Sequence, residues 1–108
     1  MRKIKIVEWE EIGSDGKPEK ITTLTVLKQF LMMAKPEQLP RGFDKFRSYR
    51  KIDQAFEKAE KDPNKMIELE DAEYEFLKKI GNDVMPAAWA LNKSVAPVIE
   101  EFMDAKQE

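Results

Sequence analysis

The chain has 108 residues, no cysteine and no histidine, and 19 basic against 21 acidic side chains for a net charge of −2. Without thiols or imidazoles it has no disulfide framework, no cysteine nucleophile and no histidine to act as general base or zinc ligand. Charge this nearly balanced, in a chain that is 37% charged, sets it apart from general polyanion binders, which are strongly basic, and from acidic mimics of nucleic acid.

That length fits a single domain over residues 1–108 with one modest core. No apolar run approaches the roughly 18 residues of a membrane span. The opening MRKIKIVEWEE carries acids too early for a secretory signal. The expectation is a cytoplasmic protein with no membrane partner.

Lys3 to Glu11 reads as a strand of β-branched and aromatic residues. Its alternation breaks: Ile4 and Ile6 point one way, Val7 and Trp9 the other, which predicts a bulge or twisted end near Ile6–Val7, or two covered faces. Ser14-Asp15-Gly16-Lys17 is a turn, and Pro18 to Leu24 is the return strand. With Asp15-Gly16 as a two-residue type I′ loop, Glu11 faces Lys20, Trp9 faces Thr22 and Val7 faces Leu24. The pairing of Glu11 with Lys20 favours that register.

Leu24 to Ala34 is a short helix, apolar almost all round, for which Thr22, Thr23 or Thr25 supplies the N-cap oxygen. A helix of this kind is either buried or exposes a docking patch. Lys35-Pro36 ends it, and Pro36 to Gly42 is a loop. Arg41 to Lys61 is the longest helix. At 100° per residue, Tyr49, Ile52, Ala55, Phe56 and Ala59 share one face, and Arg47, Arg50, Lys51, Gln54, Glu57 and Lys58 the other. Phe43 and Phe46 lie off the stripe near the helix start, where a neighbouring element can cover them. Asp62-Pro63-Asn64 forms a turn, since Pro63 disfavours helix in the residue before it.

Met66 to Glu70 alternates as a short third strand beside the hairpin. Asp71 to Ile80 is a helix with Ala72, Phe76, Leu77 and Ile80 inward, acids in its first turn and Lys78 and Lys79 in its last. Gly81-Asn82 reads as its C-cap. Pro86 opens a segment carrying Trp89. Ser94 caps a last helix with Val95, Val98, Ile99 and Phe102 inside and Glu100, Glu101, Asp104 and Glu108 outside.

No phosphate loop, dinucleotide fingerprint or nucleophile elbow occurs, and Ser14, Ser48 and Ser94 have no histidine to activate them. Glu68, Glu70, Asp71 and Glu73 read as a solvated strand edge and helix start. The chain is therefore expected to be no enzyme and to need no cofactor or metal. Trp9, Phe30, Met32, Met33 and Trp89 are the candidates for protein contact, since tryptophan is enriched in interface hot spots and methionine adapts to irregular surfaces. The alternative uses the basic face of the central helix. Arg47, Arg50 and Lys51, with aromatic neighbours, are the residue types that hold phosphate and stack bases in nucleic-acid binding.

KIKIVEWEE, FRSYRKIDQAFEKAE, IELEDAEYEFLKK and the terminal IEEFMDA together resemble small uncharacterised accessory proteins of tailed bacteriophages and prophages. The resemblance spans nearly the whole chain and carries no catalytic motif. It implies an accessory role, in head or tail assembly, in the cytoplasm of the host cell or associated with the virion. The expected fold is α+β: an N-terminal β-hairpin with a short third strand, packed against four to five helices on one face of a small sheet. The expected function is a non-enzymatic interaction module with a protein partner or a second copy of itself. The alternative is a nucleic-acid-binding regulator.

Overall fold

The computed structural model describes residues 1–33 and 41–106. The loop expected from Pro36 lies outside the described residues up to Pro40, as do the Lys35-Pro36 end of the first helix and Glu108. The chain runs β1 (Arg2–Lys5), β2 (Glu8–Ile12), β3 (Pro18–Thr22), α1 (Thr23–Met33), α2 (Phe43–Lys61), β4 (Met66–Leu69), α3 (Asp71–Val84), a 3₁₀ turn (Ala87–Leu91) and α4 (Val95–Met103). This is the α+β arrangement of a hairpin, a further strand and four α-helices that the patterns predict.

The irregularity at Ile6–Val7 does more than bend one strand. It divides the strand between two sheets, each of two antiparallel strands: β1 with β4, and β2 with β3. Ile6 still donates to Lys65 O at 2.8 Å, on the β4 side. One residue later, Val7 N–H donates to Thr23 Oγ1 at 2.9 Å, and Val7 O accepts from Thr23 N–H at 3.0 Å. Thr23 is 1% exposed, so its hydroxyl is a buried polar group fully used in this exchange. Met66–Leu69 is thus a strand, but it pairs with β1 and not with the hairpin, as Arg2↔Leu69, Lys3↔Glu68, Ile4↔Ile67 and Lys5↔Met66.

The hairpin register differs by one residue from the expected one: Trp9 faces Ile21, Glu10 faces Lys20 and Glu11 faces Glu19. The turn decides this. Gly13 N–H donates to Lys17 O at 2.8 Å and Gly16 N–H to Gly13 O at 3.0 Å, with Gly16 at φ 78°. That is a three-residue loop closed by a left-handed glycine, not a two-residue one. The shift turns Ile21 inward beside Trp9, as a one-residue slip must. It leaves Glu11 opposite a like charge, and Glu11 Oε1 instead accepts from Trp9 Nε1 at 3.0 Å and from Asn92 Nδ2 at 3.1 Å. Lys20 pairs with Glu8 at 3.1 Å.

Thr22 opens α1 through a reciprocal pair: its N–H donates to Thr25 Oγ1 at 3.2 Å, and Thr25 N–H donates back to Thr22 Oγ1 at 3.4 Å, the logic of a capping box. The α4 cap is not Ser94, whose side chain makes no cap bond. Asn92 Oδ1 accepts from the amides of Ser94 at 2.9 Å and Val95 at 3.1 Å. The better-placed amide oxygen wins.

The core is one cluster in which Ile52 and Phe56 of α2, at 0% and 1% exposed, join Ile4, Leu27, Phe30, Ile67, Leu69, Tyr74, Leu77 and Phe102. Each such side chain contributes about 1.5–3 kcal/mol by leaving water. In α3 the inward face is Tyr74, Leu77 and Ile80, with Ala72 exposed, Phe76 half-buried and Glu73 buried. Tyr74 is fully buried, and its hydroxyl proton is shared between Phe102 O at 2.7 Å and Met103 O at 3.0 Å, carbonyls in the last turn of α4; Phe102 O also accepts from Ala105 N–H at 3.3 Å. Arg2 completes this corner. It donates to Asp71 Oδ1 at 3.2 Å and to the carbonyl of Ala105, and lies 4.6 Å from the Tyr74 ring centroid.

Gly81 is not a C-cap. It is buried inside α3, which runs on to Val84, and a Cβ there would stand 2.7 Å from Phe30 Cε2. Glycine lets α1 and α3 approach. In a solvated helix Gly→Ala would stabilise by up to about 1 kcal/mol. Here overpacking reverses the sign: Gly81→Ala is expected to lower the unfolding free energy by about 1–2 kcal/mol in urea titration. The loss should shrink or vanish in a Phe30→Leu background.

Candidate interaction surfaces

The apolar helix α1 does not offer the run Phe30–Met33 as a patch. Residues two apart on a helix point to nearly opposite sides, so Phe30 is 0% exposed while Met32 is 81% exposed. Phe30 is a core residue and is removed from the contact candidates. It stacks on Trp89 with centroids 6.3 Å apart and meets Phe102 at a tilt of 49°, centroids 6.1 Å apart. Met33, Trp9 and Trp89 are half-buried, packed against the core, and Trp9 is held by Glu11. Of the five, Met32 alone stands free of the core.

The basic face of α2 does point outward at Arg47, Arg50 and Lys51, which are all exposed. Each is engaged locally. Arg47 Cζ lies 4.6 Å from the Phe43 ring centroid, Arg50 faces Asp53 at 3.7 Å, and Lys51 faces Glu73 at 3.7 Å.

The largest exposed aromatic surface is at the start of α2. Phe43 and Phe46 are 63% and 58% exposed and stack on each other with centroids 5.8 Å apart and planes 13° from parallel. The expectation that another element covers them is not met. One helical turn separates them, which lets them pair with each other. Behind them Lys45 Nζ lies 5.4 Å from the Phe76 centroid, and Phe76 meets Tyr49 edge-on at 5.6 Å. The signal was legible as two phenylalanines off the apolar stripe of an otherwise well-ordered wheel.

The seam between α2 and α3 holds two polar atoms without a hydrogen-bond partner among the described residues, Tyr49 Oη and Glu73 Oε2. Glu73, expected in solvent with Glu68 and Glu70, is 7% exposed; its place one turn before Leu77 on α3 turns it toward α2 and Lys51. Beside it runs a groove of about 780 Å³ between α2 and β4. Burial pushes the Tyr49 hydroxyl above its ordinary pKa of 10.0. Burial also raises Tyr74, with Arg2 opposing it and the charges of Glu75 and Asp104 adding to it. Among the described residues no helix is long and apolar enough to cross a membrane.

The two tyrosines predict opposite outcomes for one deletion. Tyr49→Phe removes a buried hydroxyl that has no hydrogen-bond partner among the described residues and is expected to raise stability by about 1 kcal/mol. Tyr74→Phe removes the hydroxyl's bond to the carbonyls at the end of α4 and is expected to lower it by about 1–3 kcal/mol. Chemical denaturation of the two variants checks both signs. A folded pKa raised above the unfolded one means stability is full below pH 10.0 and falls as pH climbs through the folded value. That alkaline fall should be shallower in each Phe variant.

Comparison of the chain with protein-family models, with curated proteins and with solved structures finds no match.

Proposed function

We propose that this chain is a non-enzymatic protein-interaction module, which binds an acidic, apolar-bearing segment of a protein partner at the aromatic and basic start of α2. The observation that carries the reading is the solvent-exposed Phe43–Phe46 pair. Exposed aromatics side by side regain burial only when a partner covers them, and desolvated aromatics dominate binding energy at interfaces. The same two turns hold Arg41, Lys45 and Arg47 against Asp44 alone, so the rim attracts an acidic partner. The resemblance of the sequence to phage accessory proteins directs the search for that partner to head and tail proteins.

The nucleic-acid reading has less support. Arg50 and Lys51 face carboxylates, and Arg47 already lies over the ring on which a base would stack. Free phosphate contacts are what such binding depends on.

The test uses the wild-type chain and Phe43→Ser/Phe46→Ser as paired baits in phage-infected cell extract, with and without nuclease, followed by titration of the recovered protein. Both serines replace exposed side chains, so stability is expected to stay within about 0.5 kcal/mol of wild type. The expected result is a partner held by wild type after nuclease treatment and bound about tenfold or more weakly by the double variant and by Lys45→Glu. Binding that nuclease abolishes, with a low-salt mobility shift lost on charge reversal of Arg47, Arg50 and Lys51, would transfer the function to nucleic acid.

A further inference from the structure

Among the described residues β4 pairs with β1 alone, so its other side is open. The bond from Ile6 N–H to Lys65 O, 2.8 Å, sets the phase of the ladder. Ile6 lies opposite Lys65 as a hydrogen-bonded pair, so the next such pairs fall at Ile4↔Ile67 and Arg2↔Leu69 in the observed register. The main-chain N–H and C=O groups of Met66 and Glu68 therefore point away from β1.

The groove of about 780 Å³ reaches that side: it is lined by α2, the turn after it, β4 and the start of α3, with Met1 at one end and no residue of β1 itself. Its α2 wall carries Lys51, Lys58 and Lys61, positions that span roughly 15 Å of helix at 1.5 Å per residue. An extended segment covers that length in about five residues. At the Lys51 end sits Glu73, 7% exposed, lining the groove with one carboxylate oxygen 3.7 Å from Lys51 Nζ and the other buried without a hydrogen-bond partner. Buried carboxylate oxygens in folded proteins nearly always have a donor.

We infer that this groove receives an extended polypeptide segment of a partner, added to β4 as a third strand through the main chain of Met66 and Glu68. Such strand addition draws its affinity from backbone hydrogen bonds and its specificity from flanking side chains. The flanking charges here choose acidic side chains where the segment faces Lys58 and Lys61 on the α2 wall, and a lysine or arginine where it faces Glu68, Glu70 and Glu73 on the β4 and α3 side. A small molecule would leave the strand edge unused. The site is separate from the Phe43–Phe46 surface, and neither phenylalanine lines it.

The probe is a random twelve-residue peptide display library, panned on the full chain carrying Phe43→Ser and Phe46→Ser so that ligands of that surface are not recovered. The tightest peptide is then synthesised and titrated into the wild-type chain. The expected result is slowed amide hydrogen exchange at Met66 and Glu68, with binding about tenfold or more weaker in Glu68→Pro than in Glu68→Ala, since proline removes the outward donor and blocks the edge. Panning on Lys58→Glu/Lys61→Glu should switch the recovered peptides from acidic to basic. Recovery of no binding peptide, unchanged exchange at Met66 and Glu68 on binding, or equal affinity for Glu68→Pro would overturn the proposal. Should Glu68→Pro fail to fold, the exchange measurement on wild type decides alone.

Discussion

Val7 gives its amide hydrogen to the Thr23 hydroxyl and takes one from the Thr23 amide, and the shape of the molecule follows from that exchange. Before it, the chain is bonded to β4; after it, the chain belongs to the hairpin. Two small sheets result where one three-stranded sheet was open to the chain. A threonine suits the crossing because its hydroxyl supplies the acceptor for the Val7 amide while its own backbone N–H serves the Val7 carbonyl. An isosteric valine would take the acceptor from the part-buried Val7 N–H, which costs about 1 kcal/mol.

Two-stranded sheets have little stability of their own, so the helices hold these together. Ile52 and Phe56 present the α2 stripe to β4 and α3, and Phe30 carries α1 into contact with Gly81, Trp89 and Phe102. Tyr74 and Arg2 then tie the end of α4 back to α3 and β1. This corner joins residues near both ends of the described chain, so it forms only when the whole core is assembled.

Both surfaces argued to bind partners are residues of the same construction. Splitting the strand leaves β4 with a side that no described strand covers. Directing the α2 stripe onto β4 and α3 uses the helix from Tyr49 onward and leaves its first two turns, with Phe43 and Phe46, beyond the core. An aromatic pair in water and an open strand edge are features a folded chain ordinarily covers or blunts. Here they sit on opposite stretches of one helix, so a partner engaging both would run along α2.

Periodicity alone was enough to determine the element order, the α2 stripe and the inner face of α4, because each depends on side-chain direction within one element. The failed alternation at Ile6–Val7 was also visible, and so was the position of Phe43 and Phe46 off the stripe. What the tertiary structure decided was everything resting on which element sits next to which. Gly81 reads locally as a helix end, yet it is an interior residue because Phe30 needs its missing Cβ. Ser94 has the chemistry of a cap, and Asn92 has the reach. The charge pair favoured one hairpin register, and the three-residue turn closed by Gly16 imposed another. Glu73 looks like its exposed neighbours Glu68 and Glu70, and the packing of α3 on α2 encloses it. Local patterns report the direction a side chain leaves its own backbone; only the neighbouring element determines what it meets there.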